Sequence, residues 1–512
     1  MSNDRDDDYD ERLDGEPSYN SISDLSPFAD RSGGDGDGDD DGDDFGDDGN
    51  EGTNLSEDSD YDFEDSEYLE AATRAYEELL SRIGEANPQP RLEPTRRAVE
   101  LLGDPHRAYP VIHIAGTNGK TSTSRITESI LRAYGLRTGL LTSPHLTRVN
   151  ERIVIDGVPI SNRAFVANWE DIRPYLLMID AALTAAGEAE LTFFEAFTVL
   201  AFASFADAPV DVAIIEVGMG GEWDSTNVAD GQVAVFTPIA LDHTQRLGST
   251  VSEIARTKSG IIKPVASVVS AEQSGEVLVE LERATELSEA ILAVAGSGFA
   301  LESTTMAVGG QLITVRGLAE TYRDLFLPLF GDHQAQNAAL AIAAVESFLG
   351  GGSQPLVGDV LAEGLATATS PGRLQLIGKE PSVLVDAAHN PHGAQALAAA
   401  MARYFTFSEV AVVLGVLEDK DARGIISALA PIASRFYVTA SQSDRAVDVD
   451  TLSELVRDIV GEDAAFPVSG IDEALADARA WAAQADSRAV LVTGSITLVG
   501  EAIVLAKNEG WK

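Results

Sequence analysis

Cysteine is absent from all 512 residues. Disulfides, thiolate zinc sites and cysteine nucleophiles are therefore excluded, and the composition suits a reducing compartment. Lysine is scarce as well: 7 Lys stand against 29 Arg, which makes each lysine worth locating. Basic residues as a group are outnumbered, 36 Lys+Arg to 83 Asp+Glu, for a net charge of −47. That deficit excludes nucleic acid or an anionic membrane surface as the obvious partner, because phosphate contacts need a basic footprint. No apolar run is long enough to span a bilayer, since the best candidate, 191–206, is short and broken by Glu195 and Ser204. The N-terminus opens on Asp-rich sequence without the apolar segment of a signal peptide. What remains is a soluble chain, expected in the cytoplasm, with an ordinary 44% of hydrophobic and 23% of charged residues.

The acidic excess is unevenly spread. Residues 1–67 hold 27 Asp+Glu against 3 Arg, a net of −24, which leaves −23 for the other 445 positions. Asp, Gly, Ser and Glu dominate this stretch, and its few aliphatics cannot offset chain entropy by burial, so it reads as a disordered acidic tail. Charge runs of this kind are usually solvated, and deleting residues 1–67 is expected to leave turnover unchanged in an activity assay. From Tyr68 onward Leu69, Ala72, Tyr76, Leu79 and Leu80 recur at helical spacing. Short apolar runs then alternate with amphipathic helices, the pattern of parallel α/β sheets. Strands are expected at 111–115, 138–142, 212–217, 233–237 and 266–270, with a second series at 383–386, 410–414, 435–439 and 489–493. Helices at 334–349 and 357–368 flank a Gly-rich break, and Ser370-Pro-Gly-Arg373 interrupts regular structure beyond them. The organisation expected is the tail over 1–67, a nucleotide-binding α/β domain over 68–369, a linker at 370–375 and a smaller Rossmann-like α/β domain over 376–512.

Chemistry is densest at Val111-Ile-His-Ile-Ala-Gly-Thr-Asn-Gly-Lys-Thr121, where a buried strand runs into a Gly-rich turn and then a helix. Gly116 and Gly119 let the backbone wrap phosphate oxygens, and the helix N-terminus aims free N–H groups at them. Lys120 supplies a point charge for the β- and γ-phosphates, and the Thr121 hydroxyl suits Mg²⁺. The spacing differs from the general P-loop, because Ile114 holds the position of its first glycine. Glu216 ends another buried strand, at the carboxyl edge where open α/β sheets place ligands. Ser143 and Glu216 offer hard oxygen donors, and His243 follows a further strand as a third ligand. Each alone is more often structural, but three strand ends beside a phosphate loop favour a metal site. In the second series Asp386 ends a strand ahead of a His389-Asn-Pro turn. Phe193, Phe194 and Trp223 could form a flat aromatic slot with Thr192, Asp224 and Ser225 as polar anchors, although Phe193 and Phe194 would serve equally as core.

The short loop G-T-x-G-K-[TS] resembles that of the Mur ligase superfamily of ATP-dependent, amide-forming ligases. Within it the chain is similar to the folylpolyglutamate synthase/dihydrofolate synthase family. The likeness rests on Thr142-Ser-Pro-His-Leu146 with Asn150-Glu-Arg-Ile153, on Leu191-Thr-Phe-Phe-Glu195, and on Glu216-Val-Gly-Met-Gly-Gly221 with Trp223-Asp-Ser-Thr-Asn227. Leu241-Asp-His243, Ile254-Ala-Arg-Thr-Lys-Ser-Gly-Ile-Ile-Lys263 and Gly331-Asp-His-Gln-Ala-Gln-Asn337 follow in order. Pro371-Gly-Arg373, Asp386-Ala-Ala-His-Asn-Pro-His-Gly393, Asp419-Lys-Asp421 and Thr493-Gly-Ser-Ile-Thr-Leu-Val-Gly500 complete the series.

The resemblance implies a Mur-ligase-like P-loop domain followed by the Rossmann-like one. It implies ATP held by Gly116, Thr117, Asn118, Gly119, Lys120, Thr121, Ser122, Asn337, Arg373 and Asp386, with catalytic roles for Lys120, Lys258 and His389. Mg²⁺, shared between ATP and the substrate carboxylate, would sit on Thr121, Ser143, Glu216, His243 and Lys258. Lys258 would serve as a carbamate, since a bare ammonium repels the ion. Thr192, Phe193, Phe194, Glu195, Trp223, Asp224 and Ser225 would contact dihydropteroate. Ala387 departs from the family, which usually has Gly there. The implied reaction, run by a monomer, adds L-glutamate to 7,8-dihydropteroate or to the γ-carboxylate of a reduced folate, through an acyl phosphate, releasing ADP and phosphate. A ligase of peptidoglycan precursors is the nearest alternative, and the segments 143–146 and 223–227 argue against it. A non-catalytic nucleotide-binding regulator would lack metal or second-domain residues, whereas Ser143, Glu216, His243, Lys258 and Asp386 are all present.

Overall fold

The computed structural model describes residues 66–84 and 88–511. The acidic tail expected over 1–67 lies outside the described residues except for its last two. The fold is mixed α/β and contains three sheets among these residues.

The first sheet is built from β1 (Val111–Ala115), β2 (Thr138–Leu141), β3 (Ile153–Ile155), β4 (Val158–Pro159), β5 (Val212–Glu216), β6 (Gly231–Phe236), β7 (Ser267–Ser270) and β8 (Ile291–Val294), in the order β4-β3-β2-β5-β1-β6-β7-β8. Strands β2 to β8 along that order are parallel, and β3 and β4 add antiparallel to one edge. Every residue of β1 and β5 is buried, as expected of central parallel strands covered on both faces. Alternation along β1 divides the two cores. Ile112 and Ile114 pack with Ile126 and Ile130 of helix Lys120–Ala133 and with helix Asp332–Gly350. Val111 faces the other way, toward Phe197, Phe202 and Phe205 of helix Phe193–Asp207. That helix is apolar nearly all round because the sheet and helix Asn162–Ala185 enclose it.

An antiparallel three-stranded sheet follows, of β9 (Ala300–Ala307), β10 (Gly310–Arg316) and β11 (Thr321–Leu327). The last sheet comprises β12 (Gln375–Lys379), β13 (Ser382–Asp386), β14 (Glu409–Leu414), β15 (Arg435–Val438), β16 (Ala465–Pro467) and β17 (Arg488–Thr493). Its order is β12-β13-β17-β14-β15-β16, parallel except for β12. The nine strands expected from sequence are present within about two residues of their expected ends, and both expected helices form, as Asp332–Gly350 and Gly358–Ala366. The strands missed are short, antiparallel or at a sheet edge; β9, for example, is largely exposed or half-buried and carries no clean alternation.

Candidate active site

The loop after β1 is shaped by what surrounds it. Gly116 has φ +147° and Gly119 φ +92°, backbone that side chains rarely adopt. A Cβ on Gly119 would stand 2.6 Å from Asn337 Oδ1, and one on Gly116 would collide with the Thr237 hydroxyl. Asn337 is thus pressed against the loop by helix Asp332–Gly350, at the place the sequence assigned to nucleotide contact. Lys120 opens helix Lys120–Ala133, and its Nζ donates to the Thr117 carbonyl at 3.2 Å.

Thr121 follows, and its hydroxyl donates to both oxygens of Glu216, at 2.9 and 3.1 Å. Burial pushes the Glu216 carboxyl up, opposed first by Lys120, then by the Thr121 bond and a backbone N–H of Ser143. A desolvated carboxylate, a hydroxyl and Ser143 therefore meet beside the loop, a hard-oxygen set of the kind Mg²⁺ takes together with phosphate oxygens and water. Among the described residues no group of three or more His, Asp or Glu is placed to hold a metal ion without such help. His243 sits in left-handed backbone at φ 49°, ahead of helix Thr244–Leu247. Burial brings its imidazole down to about 4, so the ring is neutral at neutral pH, as a metal ligand must be. Lys258 is buried near the end of helix Val251–Ser259 and donates to the Gly116 carbonyl at 2.7 Å. In this form Nζ is a hydrogen-bond donor, whereas the metal ligand that the resemblance implies at this position is the carbamate. Burial and, after it, Lys120 bring the amine down to about 7.

Asp224 is the anchor of the neighbouring turn. Its Oδ2 accepts from Met219 N–H (2.8 Å), and its Oδ1 from Thr226 N–H (3.0 Å) and the Thr226 hydroxyl. With that hydroxyl proton committed to Asp224, His113 Nε2 must donate to Thr226 Oγ1 at 2.9 Å. His113, on β1 and wholly buried, is therefore the Nε2–H tautomer, and its Nδ1 has no partner among the described residues. The relay ties the turn bearing Trp223, Asp224 and Ser225 to the central strand. Ser225 is held in turn by Thr198, at 2.9 Å between hydroxyls.

Thr192 and Glu195 form a capping box on helix Phe193–Asp207. Glu195 also takes a two-pronged ion pair from Arg91, both N···O distances being 3.0 Å, with little of the carboxylate exposed. Removing one partner of such a pair leaves a buried charge, so Arg91→Ala is expected to cost about 3 kcal/mol of stability. The denaturant midpoint measures it, and a shift within error would show that Thr192 alone satisfies Glu195.

The second parallel sheet supplies the opposite wall. Asp386, at the end of β13, accepts N–H bonds from Leu374 and Ala388, both 2.9 Å, which fixes the turn behind Arg373. Burial pushes this carboxyl up, and Arg373 counteracts it. His389 Nδ1 faces the Ala387 carbonyl at 2.9 Å, which can only accept, so Nδ1 carries the proton and Nε2 is left as the acceptor. Burial, reinforced by Lys420, brings His389 down to about 4. Several contacts span the walls, among them Asn118 Nδ2 with His392 Nδ1 at 3.0 Å. Asn118 and Asn390 exchange amide bonds at 3.0 and 3.4 Å, and Lys420 donates to Asp242 at 3.0 Å with both side chains largely buried.

Apart from the buried braces His113, Thr198 and Thr226, the side chains that face the loop and the second sheet line one cleft of about 1780 Å³. It collects all the residues expected in the site except one. Phe193 is buried in the core, stacked on Phe197 with ring centroids 5.8 Å apart, and lines no part of the cleft. Adjacent helix positions point about 100° apart, so Phe193 turns inward while Phe194 faces the cleft against Gly218. Sequence reasoning assigned no role to Arg91, Arg125, His145, Arg152, Asp242, His333 or Lys420, all of which line the cleft. His145, Arg152, Asp242, His333 and Lys420 lay inside recognised motifs. Arg125 could have been found from its spacing, since it follows Thr121 by one helical turn.

A Gly-rich phosphate loop facing a second α/β sheet across a cleft is the arrangement of an ATP-dependent ligase of the Mur type. The family model described as the Mur ligase middle domain matches residues 114–345, and the one described as the Mur ligase, glutamate ligase domain matches 372–496. The dihydrofolate synthase/folylpolyglutamate synthase of Mycobacterium tuberculosis is 43% identical over 443 residues, covering 82% of this chain and 91% of that one. The Bacillus subtilis protein of the same name is 32% identical over 417 residues, 81% of this chain and 94% of that one. Mycobacterium tuberculosis folylpolyglutamate synthase complexed with ADP matches in structure with a TM-score of 0.81 at 41% identity, over 86% of this chain and 99% of that one. Escherichia coli FolC in complex with DHPP and ADP matches with a TM-score of 0.71 at 30% identity, over 82% and 94%. The chain belongs to the dihydrofolate synthase/folylpolyglutamate synthase family.

Proposed function

We propose that this ligase uses ATP to join L-glutamate to 7,8-dihydropteroate and to the γ-carboxylate of reduced folates, as a cytoplasmic monomer. The observation that carries the reading is the continuity of the cleft. Its phosphate end (Lys120, Thr121, Glu216) runs into an end walled by Phe194 and Trp223 with Asp224 as a buried polar anchor. A nucleotide and a flat, carboxylate-bearing acceptor fit such a space end to end. In support, relatives named for both activities align along most of their length, and one solved relative holds DHPP beside ADP.

A carboxylate is a poor acyl donor, so the γ-phosphoryl group is first transferred to it, giving an acyl phosphate. Loop N–H groups and Lys120 hold the nucleotide, with Ser122, Asn337, Arg373 and Asp386 around it. Mg²⁺ on Thr121, Ser143 and Glu216, with His243 and a carbamylated Lys258, would supply neutralisation of the phosphate charge. Glutamate's amine then attacks the acyl carbon, the C–N bond forms, and the bond between the acyl carbon and the phosphate oxygen breaks to release inorganic phosphate. His389, neutral and with Nε2 free to accept, lines the cleft where it can accept a hydrogen bond from the incoming amine. Purified protein with ATP and Mg²⁺ should release ADP only when glutamate and a pterin acceptor are both present. Release that needs neither would sink the proposal, and product mass with dihydropteroate or tetrahydrofolate resolves the two acceptors.

A further inference from the structure

Arg125 lies four residues after Thr121 on helix Lys120–Ala133, one turn along the same face, and lines the cleft. Three acids surround it at longer range, Glu151, Glu128 and Glu216. Each is committed elsewhere. Glu151 accepts the backbone N–H groups of Leu146, Thr147 and Arg148 at 2.8–3.0 Å. Glu128 takes Arg132 Nε at 2.9 Å and the Thr138 hydroxyl at 2.7 Å, and Glu216 takes Thr121. No ion pair or hydrogen bond within the described residues reaches the Arg125 guanidinium. Burial accordingly pulls its pKa down despite the three carboxylates. The residue is only half-buried and lines the cleft, so its guanidinium is an unpaired cation open to an incoming anion.

We propose that the missing anion is the acceptor carboxylate, the group that is phosphorylated and then joined to glutamate. The proposal rests on the function proposed above and names the residue that selects its acceptor. Nucleotide phosphates have the loop N–H groups, Lys120 and the helix N-terminus, whereas Arg125 stands a full turn beyond that N-terminus. It feels the charges both of Glu216, at the phosphate end of the cleft, and of the Glu151 that braces residues 146–148. A planar guanidinium matches a carboxylate with two parallel N–H bonds, which a lysine cannot reproduce. It also cancels the repulsion that Glu151 and Glu216 exert on an incoming carboxylate.

The test compares the full-length wild type with Arg125→Ala and Arg125→Lys, each checked for native circular dichroism. Arg125→Ala is expected to raise the KM for the acceptor between about 10- and 100-fold and to change the KM for ATP less than about twofold. Arg125→Lys should recover only part of the loss. A binding competition removes dependence on turnover: wild type should prefer dihydropteroate to its carboxamide, and Arg125→Ala should bind the two alike. Equal preference in both proteins, or a rise in the KM for ATP in place of the acceptor, would overturn the assignment, the latter giving Arg125 to the γ-phosphate. If the wild type releases no ADP with either acceptor, the proposed function fails, and the competition still decides the role of Arg125.

Discussion

Lys120→Ala is expected to lower kcat by about 10³-fold, measured as ADP release with ATP, glutamate and acceptor all present. The size follows from how few free lysines the described residues place in the cleft. Lys258 is turned onto the Gly116 carbonyl, and Lys420 is paired with Asp242. Lys120 makes only a 3.2 Å contact to the Thr117 carbonyl at the head of the phosphate-binding helix. ATP, glutamate and folates are all anions, and the 445 residues after the tail carry a net −23, so local positive charge must outweigh the global field. The variant has a second consequence. Burial pushes Glu216 up, and Lys120 is the first group opposing that rise. Without Lys120 the carboxyl rises further and protonates at higher pH. Since Glu216 must be ionised to hold a metal, the acid limb of the pH–rate profile should move to higher pH. A 10³-fold loss with an unmoved acid limb would keep Lys120 in phosphoryl transfer and remove Glu216 as the titrating group.

How much of this site was legible depends on how local each feature is. The phosphate loop needs about ten consecutive residues, and strand, glycines, lysine and helix all fall inside one window of sequence. Glu216 and Asp386 were legible because both end apolar runs, and strand ends at the carboxyl edge are where such sheets bind ligands. Phe193 and Phe194 were not separable, since one helical step decides which ring meets the core and periodicity fails in a helix buried all round. Contacts between distant segments left no trace at all. Arg91 meets Glu195 across 104 residues and Asn118 meets Asn390 across 272, pairings that the topology alone creates. The outer strands β9 and β11 of the antiparallel sheet escaped for a different reason: partly exposed, they mix polar and apolar residues without clean alternation.

Lys258→Ala is expected to lower kcat by about 10³-fold as well, by removing a group proposed to reach the metal only after carbamylation. Carbamylation needs the neutral amine, and the site provides it: an amine brought from 10.5 down to about 7 is largely unprotonated above neutral pH. Wild-type activity should therefore fall in CO₂-depleted buffer and return with bicarbonate, while Lys258→Ala responds to neither. A high-resolution map should carry extra density on Nζ. Stability separates this role from a structural one. The fold binds fewer protons at Lys258 than the unfolded chain between pH 7 and 10.5, so Lys258 makes stability rise with pH across that window. Lys258→Met, which keeps the buried stem without the amine, should flatten this contribution and fold at least as well as wild type near pH 7 while remaining inactive. A fully active Lys258→Ala, or a Lys258→Met that loses activity only in proportion to lost folded protein, would return Lys258 to a packing role against the Gly116 carbonyl.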